Sequence, residues 1–269
     1  MDITLDYPVN PQPRYGYGKP PHAKLHELID KRRQSYKEVL NLFLKYESDL
    51  LKLPKVPDQD NLKEPAWINS WIPGSDSTAL YCLLRLCNPG QYFEIGSGNS
   101  TKFARRAITD GNLRTKIFSF DPQPRDEVNS ICDSMVRKPI EDVDVSIFEQ
   151  LEEGDFLFVD NSHRLFMNSD VAVVFLDILP RLKRGIFVEF HDVFLPFDYP
   201  PQWKDRHYSE QYMLAAYLLA EGKKFDVLLP NAFVGVDPEL SNILLPLWKK
   251  LEIDASVARH GSSFWIRTN

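Results

Sequence analysis

Short apolar runs alternate with amphipathic segments along the last two thirds of the chain. The runs predict strands near residues 92–95, 116–120, 136–138, 155–159, 185–190, 225–229 and 263–267. Helical spacing of apolar residues predicts helices near 100–109, 124–134, 146–151, 169–182 and 207–221. This alternation favours an α/β fold with a mostly parallel seven-stranded sheet and helices on both faces. The last two strands lack a clear crossover helix between them, so they are predicted to form an antiparallel pair.

The N-terminal part has a different pattern. Residues 1–23 are rich in Pro, Tyr and Gly and are predicted to lie extended over the surface. Apolar residues at helical spacing then predict one long amphipathic helix over 24–53, which two prolines end. A homo-oligomer is expected to form through this helix, and a further helix near 75–86 leads into the sheet. The predicted organisation is an N-terminal extension and a catalytic domain, residues 1–72 and 73–269.

Composition narrows the classes of partner. The 269 residues are 43% hydrophobic and 26% charged, which is ordinary for a globular protein. A net charge of −6 and no basic, aromatic-interleaved block argue against nucleic acid. No apolar run reaches about 18 residues, so no membrane partner is expected. The N-terminus lacks signal-peptide features, and three cysteines without a CxxC fit a reducing cytoplasm. The expected partner is a small-molecule substrate.

The stretch from Phe93 to Thr101 joins a predicted strand to a predicted helix through a glycine-rich turn. Small residues at such a turn let backbone N–H groups approach a ligand closely. The dinucleotide fingerprint would need a third glycine where Thr101 stands. Glu94, at the end of the strand, instead suits the amino group of an amino-acid tail. The predicted ligand is therefore a nucleoside that carries an amino acid.

The segment Glu94-Ile95-Gly96-Ser97-Gly98 resembles motif I of class I S-adenosylmethionine-dependent methyltransferases. Phe118-Ser119-Phe120-Asp121-Pro122 resembles the second strand of that class, whose terminal acid holds both ribose hydroxyls. The resemblance implies a Rossmann-like fold and S-adenosylmethionine as the cofactor. The expected cofactor-binding residues are Glu94, Gly96, Ser97, Gly98, Ser100, Asp121 and Asp160.

Acids and histidines follow two later strands. Asp160 and His163 come after the fourth predicted strand, and His191 and Asp192 come after the fifth. Because neighbouring parallel strands end at one edge of a sheet, these four side chains are expected to share a pocket beside the cofactor. Two carboxylates and two imidazoles suffice for a divalent metal and a base. A structural role, with the acids capping helices or orienting the histidines, is the alternative.

The D-x-x-H pattern of Asp160 and His163 is similar to that of metal-dependent O-methyltransferases of natural-product sugars. The resemblance implies that the acid binds Mg²⁺ and that the histidine deprotonates the acceptor hydroxyl. Those enzymes complete the metal site with a Glu-Asp pair, where this chain has His191-Asp192. Imidazole is a poor ligand for Mg²⁺ and a better one for Mn²⁺, Fe²⁺ or Zn²⁺. The expected site thus has Asp160, His191 and Asp192 on a metal, or His163 and His191 sharing the proton work without one.

An aromatic and Pro-rich segment, residues 193–203, follows the predicted active site directly. It is predicted to form a lid over the substrate. The aromatic residues in and after it are expected either to stack on a sugar or aromatic acceptor or to seal the loop to the core: Tyr199, Trp203, Tyr208 and Tyr212. A little-characterised bacterial branch of methyltransferases is similar in the combination of Asp160–His163, His191–Pro196 and Tyr208–Tyr212, and also in Arg14-Tyr15-Gly16.

Three functions are consistent with these patterns. The first is transfer of a methyl group from S-adenosylmethionine to a hydroxyl, with a sugar or sugar-bearing metabolite as the expected acceptor. The second is binding of S-adenosylmethionine without transfer, which would not need the acids and imidazoles. The third is an NAD(P)-dependent oxidoreductase, which Thr101 and Glu94 disfavour.

Overall fold

The computed structural model describes residues 6–220, 224–254 and 259–269. The described strands form one seven-stranded sheet in the order β3-β2-β1-β4-β5-β7-β6. The strands are β1 (Gln91–Ile95), β2 (Lys116–Phe120), β3 (Ser134–Val136), β4 (Phe156–Val159), β5 (Phe187–Phe190), β6 (Phe225–Pro230) and β7 (Phe264–Thr268). The first five are parallel, and β7 runs antiparallel to both β5 and β6. The predicted α/β Rossmann-like fold and its antiparallel final pair are confirmed.

Helices pack on both sides of the sheet. They are α1 (Ala23–Asp30), α2 (Arg33–Phe43), α3 (Glu47–Leu50), α4 (Gly74–Cys87), α5 (Asn99–Gly111), α6 (Asp126–Asn129), α7 (Asp170–Val173), α8 (Glu210–Leu219), α9 (Asn231–Val236) and α10 (Leu245–Leu251). Within the described ranges, no helix is both long and apolar enough to cross a membrane.

Several predicted helices are shorter than expected. The helix predicted over 124–134 is the single turn α6, and the one over 146–151 is the 3₁₀ segment Val145–Gln150. The helix predicted over 169–182 continues from α7 as a wide π-type turn and then a 3₁₀ turn. Pro180 lies in that last turn, and a proline ring removes an N–H and clashes with the preceding turn of a regular helix. The short helices α9 and α10, between the last two strands, were not predicted.

The long helix predicted over 24–53 is broken into α1, α2 and α3. At the first break the carbonyl of Ile29 accepts hydrogen bonds from the Arg32 N–H at 3.2 Å and the Tyr36 hydroxyl at 2.8 Å. The apolar face nevertheless stays continuous and buried, and α2 packs against α4 and β6 of the same chain. These helices share one hydrophobic core with the sheet. The division of the chain into an extension and a domain between residues 72 and 73 stays a prediction. A homo-oligomer formed through these helices also stays a prediction.

The strand register positions the site. Ile95 at the end of β1 pairs with Phe120 of β2 on one side and with Val159 of β4 on the other. Val159 in turn pairs with Phe190, the last residue of β5. Four neighbouring strands therefore end in one line, and the residues that follow them meet at one edge. The strand order reverses between β1 and β4, where open α/β sheets bind their ligands.

Candidate active site

Gly96 is required by the way the turns after β1 and β4 pass each other. Its φ is +83°, and an added Cβ would overlap the backbone carbonyl oxygen of Asp160. The two turns are also tied by a hydrogen bond of 2.9 Å from the Asp160 N–H to the carbonyl of Ile95. A side chain at Gly96 would push the turns apart, so this glycine serves the protein's own packing.

Gly98 has a different reason to be small. Its backbone is extended, with φ 173°, and an added Cβ would meet no described atom within 4 Å. The residue immediately precedes α5, whose first N–H groups lack intrahelical partners. Ser97, Gly98, Asn99 and Ser100 line a large cavity. Open space over a helix N-terminus is where a ligand approaches the backbone closely.

Glu94 lies fully buried beneath this turn. Its carboxylate accepts hydrogen bonds from the hydroxyls of Ser100 at 2.6 Å, Thr101 at 2.5 Å and Tyr92 at 3.0 Å. Burial raises the pKa of Glu94 to about 7, although these hydroxyl groups oppose the shift. The side chain does not line the cavity and instead fastens the first turn of α5 to β1. Among the residues it holds, Ser100 reaches the cavity.

Asp121 follows β2 and joins the same turn. One carboxylate oxygen accepts a hydrogen bond from the Ser97 hydroxyl, and the other accepts one of 2.8 Å from the N–H of Gln123. Ser97 lines the cavity, whereas Asp121 lies half-buried behind it. The expected cofactor residues at the ends of β1 and β2 are therefore brought together as one linked group.

His163 stands at the centre of a cluster of three carboxylates. Its Nδ1 lies 2.8 Å from Oε2 of Glu210, the first residue of α8. Its Nε2 lies 3.3 Å from Asp160 Oδ1 and 3.6 Å from Asp192 Oδ2. The His163 backbone is left-handed, with φ 59°, and its carbonyl accepts hydrogen bonds from the N–H groups of Ser209 and Glu210. The turn after β4 and the start of α8 therefore fix the imidazole from both sides.

The charges around His163 decide its protonation. Burial alone would lower the imidazole pKa, but hydrogen bonds to Asp160 and Glu210 and their charges raise the pKa well above 6.5. Burial would raise the pKa of Asp160, yet the hydrogen bond from His163 and the charge of His191 hold it below its usual value. Since Nδ1–H donates to Glu210, a neutral ring would turn a lone pair on Nε2 towards two carboxylates. His163 is accordingly held protonated near neutral pH.

His191 belongs to a second buried network. Its Nδ1 lies 3.3 Å from Glu189 Oε1, its Nε2 lies 3.9 Å from Asp192 Oδ1, and its ring stacks on Phe158. Burial raises the pKa of Glu189 to about 8. Burial would lower the pKa of His191, but the hydrogen bond to Glu189 and the charge of Asp160 raise it well above its ordinary value. The network continues through Asp192 to the Ser262 hydroxyl at 3.1 Å. His191 is thus held from below by the sheet and faces the same acids as His163.

The expected metal site is not supported. Across residues 6–220, 224–254 and 259–269, no group of three or more His, Cys, Asp or Glu side chains has an arrangement that could hold a metal ion. Glu189 and the nearby acids raise the pKa of His191, so a metal at Asp160, His191 and Asp192 would have to displace the imidazole proton. These three side chains meet His163 as an acid–imidazole cluster.

The cavity over this cluster has a volume of about 1150 Å³. The N-terminal segment 14–22 (the strap) and the loop 193–208 (the lid) form part of its walls. Asp198 of the lid accepts a hydrogen bond of 2.6 Å from the Arg14 N–H of the strap. An added Cβ at Gly16 would lie 3.0 Å from Cβ of Phe197 and 3.2 Å from Cδ1 of its ring. The strap and the lid are therefore packed together as one wall.

The four aromatic residues in and after the predicted lid divide into two pairs. Trp203 and Tyr208 line the cavity, and the Tyr208 ring lies 4.6 Å from that of His163. Tyr199 and Tyr212 do not line it. Their hydroxyls serve the wall: Tyr199 accepts from the Gln211 N–H at 3.1 Å, and Tyr212 donates to Asp198 at 2.7 Å. Stacking on an acceptor thus stays a prediction for Trp203 and Tyr208, whereas the other two seal the loop.

Three residues of this site were not singled out from the sequence. Glu210 lies 47 residues from His163 along the chain, and only the strand–helix arrangement brings the two together. Glu189 is a single acid within an apolar strand, whereas Asp76 lies in the polar first turn of α4. Asp76 is fully buried and accepts hydrogen bonds from Asn231, Ser262 and Ser263. An acid inside an apolar run needs buried partners, and this signal could have found Glu189. Asp76 and Glu210 stand among polar residues and carry no such signal.

The glycine turn after β1, residues 96–100 (the cradle), and the acid–imidazole cluster lie at the carboxyl ends of neighbouring parallel strands. Together they define an α/β protein with a ligand-binding edge. Residues 93–193 match a protein-family model described as a methyltransferase domain. That segment contains the last three residues of β1, all of β2 to β5, the glycine turn after β1 and the acidic ends of β4 and β5. The match supports the expected class, a methyltransferase. No curated protein matched the chain.

Among solved structures, the chain is similar to an SAH-bound methyltransferase of Podospora anserina, with 16% identity, a TM-score of 0.44 and coverage of 90% of this chain and 95% of that one. It is also similar to the SAH-bound plantazolicin methyltransferase BpumL, with 11% identity, a TM-score of 0.43 and coverage of 91% and 99%. A coclaurine N-methyltransferase bound to N-methylheliamine and SAH has 9% identity, a TM-score of 0.32 and coverage of 90% and 92%.

Proposed function

We propose that this protein is a class I methyltransferase that moves a methyl group from S-adenosylmethionine to a hydroxyl of a small molecule, a sugar or a sugar-bearing metabolite. The observation that carries the proposal is Gly98. Its φ lies outside the left-handed region and an added Cβ would meet no atom of the described residues, yet a glycine stands here over a helix N-terminus. The cavity there is continuous with the cluster around His163.

The residues of the cradle fit the proposed cofactor. Ser97 and Ser100 would hold it through their hydroxyls and backbone, with Asp121 behind Ser97 as acceptor for the ribose hydroxyls. Glu94 acts through Ser100, because its own carboxylate is enclosed by hydroxyl groups. When bound, S-adenosylmethionine supplies an electrophilic methyl group. The protein's own task is to hold the acceptor oxygen in line and to remove its proton.

His163 is the proposed base. Its Nδ1–H donates to Glu210, so Nε2 is the atom that would take the acceptor's proton, and Glu210 then stabilises the imidazolium. Because the pKa of His163 is raised above 6.5, only the fraction of enzyme that has lost this proton is active near pH 7. Turnover is expected to rise with pH up to that raised pKa. Trp203 and Tyr208 beside it would stack on the acceptor's ring.

The test is methyl transfer from labelled S-adenosylmethionine to a panel of sugars, sugar-bearing metabolites and phenols. His163→Ala should lower turnover by about 10²–10⁴-fold while cofactor affinity stays within a few-fold. His207→Ala is the matched control, because His207 is an exposed imidazole outside the cavity. Wild-type turnover in the His163 variant would remove it as the base and make His191 the candidate. If S-adenosylmethionine binds but no panel member is methylated, binding without transfer becomes the better reading.

A further inference from the structure

Four cations line the cavity without an acidic partner among the described residues, and one of them, Arg125, follows β2 and lies over the Trp71 ring. The other three come from separate segments. Lys19 comes from the strap, Arg206 ends the 3₁₀ turn Pro201–Arg206 of the lid, and Arg259 precedes Ser262. Within the part of the chain that the structure describes, none of the three lies within 4.0 Å of a carboxylate oxygen. The chain as a whole carries a net charge of −6, so this local excess of positive charge runs against the overall balance.

The side chains of these residues are placed to receive a ligand. The Arg206 guanidinium lies 4.0 Å from the centre of the Trp203 ring, and Trp203 also lines the cavity. Arg259 donates to Asn242 Oδ1 at 2.9 Å, while its Nε is buried without a hydrogen-bond partner among residues 6–220, 224–254 and 259–269. The Lys19 ammonium bonds a single carbonyl, that of Pro13, and has further donors to offer. Each cation thus retains hydrogen-bonding capacity.

The charges that line the cavity differ between its floor and its rim. Its floor holds Asp192 and the buried His163, whereas Lys19 and Arg206 are exposed at the rim. An anionic group would be repelled by the acids of the floor and attracted by the rim. A hydroxyl needs the reverse position, beside the imidazole that takes its proton. A compound with both groups therefore has one favourable orientation, with its hydroxyl down and its charge outward.

The three segments that carry the cations converge on this floor. The strap is held by Asp198 of the lid, the lid places Tyr208 against His163, and the segment of Arg259 reaches Asp192 through Ser262. Segments that are far apart in sequence therefore place positive charges around the same opening. A chance exposed lysine would not require this convergence.

We propose that Lys19, Arg206 and Arg259 bind an anionic group, a phosphate or a carboxylate, on the methyl acceptor. This inference rests on the proposed function, since it names the class of acceptor for the same cavity. Guanidinium groups hold phosphate and carboxylate oxygens in pairs of charge-assisted hydrogen bonds, and ammonium groups add a point charge. The acceptor is then a ring-bearing hydroxyl compound with a negative charge, such as a sugar phosphate or a uronic acid.

The test is titration calorimetry on the full chain saturated with SAH. The probes are glucose 6-phosphate, glucuronate, inorganic pyrophosphate and the neutral methyl glucoside. The anions should bind, with affinities that fall as salt increases, and methyl glucoside should bind more weakly than any anion. A stronger signal for glucose 6-phosphate than for glucuronate identifies phosphate as the natural group, and the reverse identifies a carboxylate.

Charge-removing variants assign the effect to residues. Arg206→Gln and Lys19→Gln should each weaken anion binding by about three- to tenfold, because these exposed charges are screened by solvent. Lys204→Gln is the matched control, since Lys204 lies in the same turn and does not line this cavity. SAH affinity should be unchanged in all three variants.

Two results would overturn the inference. The first is that no anion binds more tightly than methyl glucoside. The second is that the Arg206 and Lys19 variants lose SAH affinity instead, which would assign the cations to the cofactor's own carboxylate. Failure of the proposed function has a separate signature: the wild-type protein would then either bind no SAH or bind it and methylate no member of the acceptor panel, whatever the anions do.

Discussion

Replacing Glu210 by glutamine should move the pH dependence of the reaction. Glu210 is fully buried, and its Oε2 lies 2.8 Å from His163 Nδ1. A hydrogen bond to a charged group contributes about 1.5–3 kcal/mol, and 1.36 kcal/mol corresponds to one pKa unit, so the pKa of His163 should fall by about one to two units. The neutral imidazole is the active form, and activity is lost as pH falls through this pKa. The acidic limb of the pH–rate profile should therefore move to lower pH by the same amount.

The plateau rate should fall as well. A glutamine amide can turn an N–H towards Nδ1, which would favour the His163 tautomer with its proton on Nε2. That tautomer cannot act as the base, because Nε2 is the atom that takes the acceptor's proton. We expect a loss of about ten- to hundredfold, part of the 10²–10⁴-fold that a positioned base supplies. The glutamine keeps the volume of the glutamate and its contact of 3.2 Å with Asn161, so the fold should persist.

Two assays check this prediction together. The first is the pH–rate profile of transfer, and the second is an NMR titration of the imidazole C–H signals, which is tractable because the chain has 6 histidines. Glu252→Gln is the control, because Glu252 is exposed on the far α10 helix cap. If the Glu210 variant is folded and binds SAH but its acidic limb stays in place, Glu210 does not set the protonation of His163. A shift to higher pH would contradict the charge argument outright.

Three further predictions address the cofactor turn and the metal. Asp121→Ala should weaken SAH binding by one to a few powers of ten in calorimetry, because each ribose hydrogen bond to a charged acceptor contributes about 1.5–3 kcal/mol; unchanged affinity would remove Asp121 from the site. Gly98→Val should abolish SAH binding without lowering the melting temperature. Gly96→Ala should instead destabilise the fold by about 1–3 kcal/mol in chemical denaturation, because φ is +83° at residue 96 and an added Cβ would overlap the backbone of Asp160. Excess EDTA should leave turnover unchanged. A loss of turnover in EDTA that Mn²⁺ restores would show instead that the reaction needs a metal ion.

The sequence predicted the sheet well because its strands are continuous apolar runs, as buried parallel strands are. Once the strands were placed, the meeting of Asp160, His163, His191 and Asp192 followed from the common direction of their ends. The helices were predicted less accurately. Apolar periodicity locates a buried face, but it does not report a break such as that at Ile29, where a tyrosine hydroxyl takes a backbone carbonyl.

The protonation of the site could not be predicted from its motif. A free imidazole has a pKa of about 6.5, and nothing in the pattern of Asp160 and His163 indicates a shift from that value. Asp160 and Glu210 raise the pKa of His163, and Glu210 reaches it through the fold rather than through sequence proximity. Glu94 gives a similar lesson: its place at a strand end suggested a ligand contact, whereas three hydroxyl groups enclose it.

The central claim is that the open turn at Gly98 accommodates S-adenosylmethionine. The most direct test is calorimetric titration of the wild-type chain and of Gly98→Val with S-adenosylmethionine, SAH and NADH. We expect the wild type to bind the first two at one site and NADH not at all, and we expect the variant to stay folded and bind none of them. Binding of NADH without S-adenosylmethionine, or full affinity for S-adenosylmethionine in the folded variant, would contradict the account.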